Sequence, residues 1–302
     1  MASAKKSRAK QAVAELSQPG PHAVLRGELA LVGLPGVLFT PASGTGLPAV
    51  AFAHDWLQPA QRYHRLLRHL ASWGIVAVAP DTERGPFASH RRLAHDLRTA
   101  LGVCSGVRLG GTTRAAAVSV DPARLGVAGH GMGGAAAVLA AAVPASHTQV
   151  QAVGEPYWEV GADLDLAAVA TVALTESQPP ALDAARAVHL PGLHIAFGKD
   201  LVSPPGTGAE PVASAWAGPC SLRTLKKATH MGVVEGRHWS DLVLDGKSQS
   251  STRDLVCALV TGFLLHRLGG QEDYAALTDG PVKRTEVHTY AEATIPALTA
   301  GS

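Results

Sequence analysis

A glycine-rich hexapeptide, Gly-His-Gly-Met-Gly-Gly at residues 129–134, lies between a short apolar run and an alanine-rich segment. A buried strand, a tight glycine turn and a helix in this order form the nucleophile elbow G-x-S-x-G, which lifts a serine hydroxyl above a sheet for acyl transfer. Here the central position is Gly131, which has no side chain. The flanking glycines Gly129 and Gly133 are present, so the pattern predicts the turn without its nucleophile.

Three other patterns in the sequence offer alternative chemistry. Residues 102–106, Gly-Val-Cys-Ser-Gly, fit G-x-C-x-G, but they follow a predicted helix and so lack the turn that presents a nucleophile. Histidine pairs at 64/69 and 90/95 are five residues apart, whereas two metal ligands on one helical face are four apart. The 129–134 turn is not the first strand–helix turn, where a dinucleotide-binding G-x-G-x-x-G belongs, and no acidic residue about 20 positions on ends a second strand. We therefore expect no metal and no other cofactor.

The distribution of apolar residues predicts the elements that position this turn. Residues 24–40 alternate like two antiparallel strands, and regular alternation of apolar strands with helices predicts a mostly parallel sheet. The fold class is therefore α/β, with about eight strands and helices on both faces. Continuous apolar runs predict strands at 47–54, 74–80, 124–130, 150–154, 169–174, 193–198 and 221–228, and helical spacing predicts helices at 59–73, 88–103, 133–143 and 252–268.

Composition restricts the partners and the compartment. The chain has 302 residues, of which 46% are apolar and 17% are charged, and its net charge is +2. Its basic residues are spread out, which argues against a nucleic-acid partner. No segment approaches the ~20 apolar residues that span a bilayer, and no apolar run of a signal peptide follows the basic start. We expect a cytoplasmic protein.

The ends of the chain are predicted to lie outside the folded unit. Residues 1–22 are predicted to form a polar basic tail, residues 23–268 one domain, and residues 269–302 a peripheral C-terminal tail. Three cysteines leave at least one outside any internal disulfide, and a Cys220–Cys257 bridge stays open. The sequence gives no oligomeric state.

Several stretches resemble the α/β-hydrolase superfamily, and within it the branch of cutinases, polyester hydrolases and dienelactone hydrolases. The elbow of that branch is commonly Gly-His-Ser-Met-Gly-Gly, and the stretches LPAVAFAHDW and LASWGIVAVAPDT resemble its oxyanion strand and the strand that follows. The similarity runs over residues 25–268. It implies an α/β-hydrolase fold and, by descent, the hydrolysis of carboxylic esters.

The resemblance also implies the partners of the missing serine. The acid of the family lies in the loop after the penultimate strand, where IAFGKDLVSPP places Asp200, and its histidine follows the last strand, where KKATHMG places His230. The order Gly131, Asp200, His230 is the Ser, Asp, His order of this fold. The oxyanion donors are backbone N–H groups, which map onto Met132 and onto Asp55 or Trp56.

Further side chains are expected to line the cleft. His54 lies at the end of the oxyanion strand, His130 lies within the turn, and Trp158 lies in a loop that follows a predicted strand. A purely structural role for each of these side chains stays open, since large aromatic residues and lone histidines are more often part of a core.

These residues lead to one hypothesis and two alternatives. In the first, the protein is a degenerate member that binds an ester, lactone or acyl ligand in the old cleft, because glycine cannot attack a carbonyl. In the second, His230 oriented by Asp200 activates water directly in a slow or specialised hydrolase. In the third, Gly131 is an introduced change in an active serine esterase.

Overall fold

The computed structural model describes residues 2–109, 117–142, 164–242 and 245–291. Its centre is one sheet of nine strands in the order β1-β2-β4-β3-β5-β6-β7-β8-β9. The strands are β1 (Val24–Glu28), β2 (Gly36–Pro41), β3 (Gly44–Ala53), β4 (Val76–Pro80), β5 (Val118–His130), β6 (Leu166–Val172), β7 (Gly192–Phe197), β8 (Cys220–Leu225) and β9 (Thr285–Tyr290).

The sheet is mostly parallel, as the sequence predicts. Strands β3 to β8 pair in parallel, while β1 and β2 at one edge and β9 at the other pair antiparallel. The parallel strands are nearly continuous runs of buried residues because helices cover both faces. The predicted strand at 150–154 lies outside the described residues.

Helices cover the two faces in two groups, each with its own apolar core. Residues of α1, α2, α7 and α8 belong to one core, and residues of α3, α4, α5 and α6 belong to the other. The helices are α1 (Ala2–Leu16), α2 (His64–Ser72), α3 (His90–Gly106), α4 (Met132–Ala141), α5 (Ala181–Ala185), α6 (Ala209–Ala215), α7 (Ser250–Arg267) and α8 (Ala275–Asp279).

Both ends of the chain differ from the tails expected from the sequence. Helix α1 lies within residues 1–22 and buries Ala9 and Leu16 in the core beside α7, because its small apolar residues recur at helical spacing. Residues 269–302 include α8 and the edge strand β9. Arg223 of β8 holds this segment, since its buried guanidinium donates to three carbonyl oxygens at the end of α8 and to Thr285 of β9.

The strand register places the chemistry at one edge of the sheet. Strands β3 and β5 are parallel neighbours, with Ala53 paired to Gly129, so the loop after β3 lies beside the turn after β5. Loops that follow the carboxyl ends of parallel strands form the sites of such sheets. Asp200 follows β7 and His230 follows β8 at the same edge. Residues 30 to 175 positions apart in sequence are thereby brought together.

Buried histidines are expected to make the stability of the fold sensitive to acid. His194 of β7 is fully buried with one ring nitrogen 3.0 Å from the Thr171 hydroxyl, and burial lowers the pKa of His194 to about 3. Burial likewise lowers the pKa of His69 to about 4. The unfolded chain therefore binds protons at a higher pH than the folded protein, and the free energy of unfolding falls as the pH drops below about 6.5.

We expect His194→Gln to weaken this pH dependence. Between pH 7 and pH 5 the parent protein should lose about 2 kcal/mol more unfolding free energy than the variant, since each pKa unit corresponds to about 1.4 kcal/mol. Urea unfolding at the two pH values measures the difference. His288→Gln changes an exposed histidine and serves as the matched control. Equal pH dependence in parent and His194→Gln would contradict the expectation.

Candidate active site

The turn between β5 and α4 has the backbone of a nucleophile elbow. Gly131 has φ +53° and ψ −118°, a conformation that glycine adopts without steric cost and that side chains rarely adopt. A Cβ on Gly129 would lie 2.2 Å from the backbone of Gly133, and a Cβ on Gly133 would lie 2.2 Å from the carbonyl oxygen of Ala53. Both flanking glycines are thus required by the close approach of helix and strands.

The space above Gly131 is filled by the carboxylate of Asp55. A Cβ on Gly131 would lie 1.9 Å from Asp55 Oδ1 and 2.3 Å from Asp55 Cγ. The backbone N–H of Met132 donates to Oδ1 at 2.8 Å, and His230 Nε2 lies 2.9 Å from Oδ2. The carboxylate therefore occupies the space that a side chain on Gly131 would take. Sequence analysis assigned Asp55 a backbone role only.

The second carboxylate of the site orients the imidazole from the other side. His230 Nδ1 lies 2.7 Å from Asp200 Oδ2, while Asp200 Oδ1 accepts hydrogen bonds from the backbone N–H groups of Val202 and Ser203 at 2.9 and 2.8 Å. The structure thus places the imidazole of His230 between two carboxylates. It brings together Gly131, Asp200 and His230, the three positions that the resemblance to α/β-hydrolases implies.

This cluster carries charge although it is buried. Asp55, Asp200 and His230 are at most 3% exposed. Burial by itself raises the pKa of the Asp55 carboxyl, but attraction to His230 and its hydrogen bond outweigh burial and hold that pKa well below its usual range. Burial lowers the pKa of His230, yet the charge of Asp55 and the hydrogen bond to Asp200 raise it well above its usual value. The cluster is a buried imidazolium between two carboxylates.

A neutral hydrogen-bonded chain supports the cluster from behind. The Asp55 N–H donates to the Tyr63 hydroxyl at 3.2 Å, and that hydroxyl lies 2.8 Å from His130 Nδ1. His130 Nε2 lies 3.1 Å from the carbonyl oxygen of His230, which only accepts, so Nε2 carries the proton and Nδ1 accepts from Tyr63. Burial lowers the pKa of His130 to about 4, which keeps this ring neutral. Tyr63 lies in the predicted helix 59–73, and the sequence gives no signal for this contact.

The groups expected as oxyanion donors already have partners within the protein. The Met132 N–H is in place but is occupied by Asp55 Oδ1, and the Asp55 N–H points to Tyr63. The indole N–H of Trp56 donates to the carbonyl oxygen of Pro86 at 3.3 Å. The Met132 N–H, the main expected oxyanion donor, is therefore hydrogen-bonded to a side chain of the protein itself.

The residues expected to line the cleft have different surroundings. His54 is fully buried, and its two ring nitrogens lie 2.9 Å from the carbonyl oxygen of Asp55 and 2.8 Å from that of Thr82, so the ring connects two loops. His130 belongs to the chain behind the cluster. Trp158 lies outside the described residues. Cys104, the alternative thiol, is buried in α3 and its pKa is raised to about 12 by burial, so it is not a nucleophilic thiolate.

A metal ion would have to replace existing hydrogen bonds. Asp55, His130 and His230 each offer one possible ligand atom, and these atoms lie within 4.8 Å of one another. Both nitrogens of His130 already have partners, as do both nitrogens of His230. The existing hydrogen bonds satisfy these donors and acceptors, so we assign no metal to the cluster.

A buried arginine holds the loop that follows His230. Arg62 forms a two-pronged ion pair with Asp241, with distances of 2.6 and 3.1 Å, and also donates to Gln58 and to the carbonyl oxygens of Glu235 and Gly236. The bidentate geometry fixes the direction of this loop as well as its distance. The sequence offered no signal for the pair because its members lie 179 residues apart.

A protein-family model described as Chlorophyllase matches residues 28–168. This match supports an esterase-like α/β-hydrolase function at the level of the family. It covers less than half of the chain and includes Asp55, Gly131 and Met132, but it ends before Asp200 and His230. The narrower resemblance to cutinases and dienelactone hydrolases stays a prediction. A search of curated proteins found no significant match, and none of the described helices is long and apolar enough to cross a membrane.

Proposed function

We propose that the protein is a hydrolase of the α/β-hydrolase fold that works without serine, with Asp55, His230 and Asp200 as its reactive groups. The observation that carries the proposal is the carboxylate of Asp55 at the elbow, 1.9 Å from the position that a Cβ on Gly131 would take. His230 is the proton carrier, and Asp200 fixes the orientation of its ring. Asp55 is the group that meets the substrate.

The charges of the cluster support a role beyond stability. Burying an ion pair seldom increases stability compared with apolar side chains of similar size, because desolvation offsets the attraction. Ionisable groups with strongly shifted pKa values are instead typical of catalytic sites. Direct activation of water by His230 would require water to take the place of Asp55 at Nε2, which this carboxylate already occupies.

A degenerate, ligand-binding protein is the second candidate. Its support is the burial of the cluster, since His230 is 0% exposed and Asp55 is 2% exposed. In this case Asp55 fills the former nucleophile position and neutralises the imidazolium, and an ester, lactone or acyl compound binds without being cleaved. Ligand-dependent stabilisation without turnover is the expected behaviour.

We expect Asp55→Asn to abolish hydrolysis while leaving the fold intact. The panel of substrates contains 4-nitrophenyl acetate, styrene oxide, methyl 4-nitrobenzenesulfonate and 1-bromobutane, assayed by product formation. The rate on the substrate that the parent cleaves best should fall at least about 100-fold, the scale of losing a positioned catalytic group. Because no serine is at the elbow, a fluorophosphonate should leave the parent unlabelled.

Asp183→Asn, which removes an exposed carboxylate on α5, is the matched control and should keep the parent rate. Equal rates for the parent and Asp55→Asn would refute the proposal. A parent that cleaves no member of the panel but is stabilised by one of them supports the degenerate protein instead.

A further inference from the structure

The oxyanion donor of the elbow suits one kind of bond cleavage better than another. In acyl transfer, backbone N–H groups must bind the carbonyl oxygen of the substrate as it gains negative charge. The Met132 N–H instead binds Asp55 Oδ1 at 2.8 Å. A substrate carbonyl therefore finds this donor taken, whereas a displacement at a saturated carbon forms no carbonyl oxyanion and does not need this donor.

We propose that Asp55 is a covalent nucleophile and that the substrates are small, uncharged compounds with a leaving group on a saturated carbon, such as alkyl halides, epoxides and alkyl sulfonates. This inference rests on the proposed function, because it gives a reaction to the same three residues. Oδ1 accepts from the Met132 N–H and Oδ2 from His230 Nε2, and Oδ2 forms the new bond to carbon because the proton of His230 can leave whereas the backbone N–H stays. The two oxygens thus have separate tasks.

The first step is a displacement that forms an ester. Asp55 Oδ2 donates an electron pair to the saturated carbon, and the bond from that carbon to the leaving group breaks with its electron pair. The leaving group departs on the side opposite Oδ2, a halide or sulfonate as the anion and an epoxide oxygen with a proton from water, and the proton of His230 passes to water. The product of this step is an alkyl ester of Asp55 beside a neutral His230.

The second step hydrolyses that ester. Neutral His230 takes a proton from water, whose oxygen attacks Asp55 Cγ, and negative charge develops on Oδ1. The Met132 N–H already donates to this atom, so the oxyanion donor serves the enzyme ester rather than the substrate. The bond between Cγ and Oδ2 breaks, and that oxygen leaves as the alcohol with the second proton of the water. The carboxylate and the imidazolium are restored, and the net reaction consumes one water.

The surroundings of His230 fit this change of roles. Its pKa is raised partly by the charge of Asp55. Alkylation removes that charge, so the imidazole gives up its proton more readily when it must act as a base. Asp200 keeps the ring oriented through Nδ1 in both steps.

The loops around the site suit apolar substrates. Phe87, Leu201 and Trp239 are exposed by 96%, 80% and 59% and lie in the loops that follow β4, β7 and β8. These loops leave the sheet at the edge that carries the cluster. Exposed large apolar side chains near a site favour apolar ligands, and a carboxylate that is 2% exposed favours small ones.

Oxygen labelling during a single turnover tests the inference. The full chain is mixed in excess with 1-bromobutane in H₂¹⁸O, and the products are analysed by mass spectrometry. We expect butanol that carries ordinary oxygen, because its oxygen comes from Asp55, and a peptide containing Asp55 that has gained one ¹⁸O. His230→Gln at pH 9 should accumulate a butyl group on Asp55, because a halide leaves without a proton but the ester is not hydrolysed. If His230→Gln does not fold, the labelling of the parent protein decides alone.

The outcomes separate this inference from the proposed function. Two results would overturn the covalent role at saturated carbon but leave the proposed hydrolase unchallenged. One is Asp55-dependent turnover that gives ¹⁸O-labelled butanol in the first turnover. The other is Asp55-dependent turnover of 4-nitrophenyl acetate alone. Absence of turnover and of alkylation with every probe overturns both. Asp55→Asn should show neither the labelled peptide nor the butyl adduct.

Discussion

Gly131→Ser alone is expected to remain inactive towards 4-nitrophenyl esters, whereas Gly131→Ser combined with Asp55→Gly becomes a serine esterase. A Cβ at position 131 would lie 1.9 Å from Asp55 Oδ1, so serine and this carboxylate cannot keep their places together. Removing the carboxylate frees the Met132 N–H for a substrate oxyanion and His230 Nε2 for the new hydroxyl. Asp200 still orients the base.

We expect the double variant to exceed the single variant by about 100-fold in ester hydrolysis, the lower end of what a positioned base contributes. A fluorophosphonate should label position 131 in the double variant only. The positive φ of Gly131 makes serine there cost about 1–3 kcal/mol, which thermal unfolding measures independently. Adding His230→Gln to the double variant is the control and should remove the gain.

A single variant as active as the double one would show that Asp55 does not obstruct the elbow. That result would also support the interpretation in which Gly131 is an introduced change in an active serine esterase. If both variants fold but are inactive, the group that is hydrogen-bonded to His230 Nε2 does not limit ester hydrolysis.

His230→Gln is expected to lower the unfolding free energy by about 3–5 kcal/mol at pH 8, the scale of breaking a buried ion pair. His230 is the cation between Asp55 and Asp200, and both carboxylates are buried. Without it, two buried negative charges face each other with only backbone N–H groups as partners. Urea unfolding of parent and variant measures the difference.

The sign of the pH dependence distinguishes this cause from simple loss of packing. Without the imidazolium, burial raises the pKa of the Asp55 carboxyl in the folded variant above its unfolded value. Such groups contribute stability at low pH that is lost as the pH rises. Because the raised pKa of His230 gives the parent stability that is also lost above about pH 6.5, the comparison is made between pH 6 and pH 5, where the difference between parent and variant should shrink. Leu67→Ala, which removes a buried apolar side chain and no titratable group, is the matched control for lost packing and should show no such shrinkage.

Adding Asp55→Asn to His230→Gln should recover part of the lost stability, because one of the two uncompensated charges disappears. An equal loss at both pH values, or no recovery in the double variant, would mean that the cluster is not an imidazolium between two carboxylates.

The sequence was sufficient for the features that depend on neighbouring residues. Apolar runs predicted the described parallel strands, and the glycine pattern predicted a tight turn between β5 and α4, because these signals are local. The resemblance to α/β-hydrolases implied that the side chains of Asp200 and His230 are in contact. In the structure Asp200 Oδ2 lies 2.7 Å from His230 Nδ1. Their catalytic role remains a proposal.

The ends of the chain show where local signals fail. Helix α1 is rich in charged residues and looks like a tail, yet Ala9 and Leu16 are fully buried against other helices. Strand β9 has mostly exposed residues because it is an edge strand, so its pattern is weak in the sequence. Arg223, an unusual fully buried cation, holds this region through carbonyls that no sequence pattern identifies.

The sequence by itself determined the α/β fold and the absence of a side chain at position 131. Only the tertiary structure decided what fills that position. Asp55 and Gly131 each lie two residues beyond the paired residues Ala53 and Gly129, so the parallel register of β3 and β5 sets the two loops side by side. Chain positions 76 apart thereby form one site, and the direction of the Asp55 side chain depends on its bonds to Met132 and His230, which exist only in the folded protein.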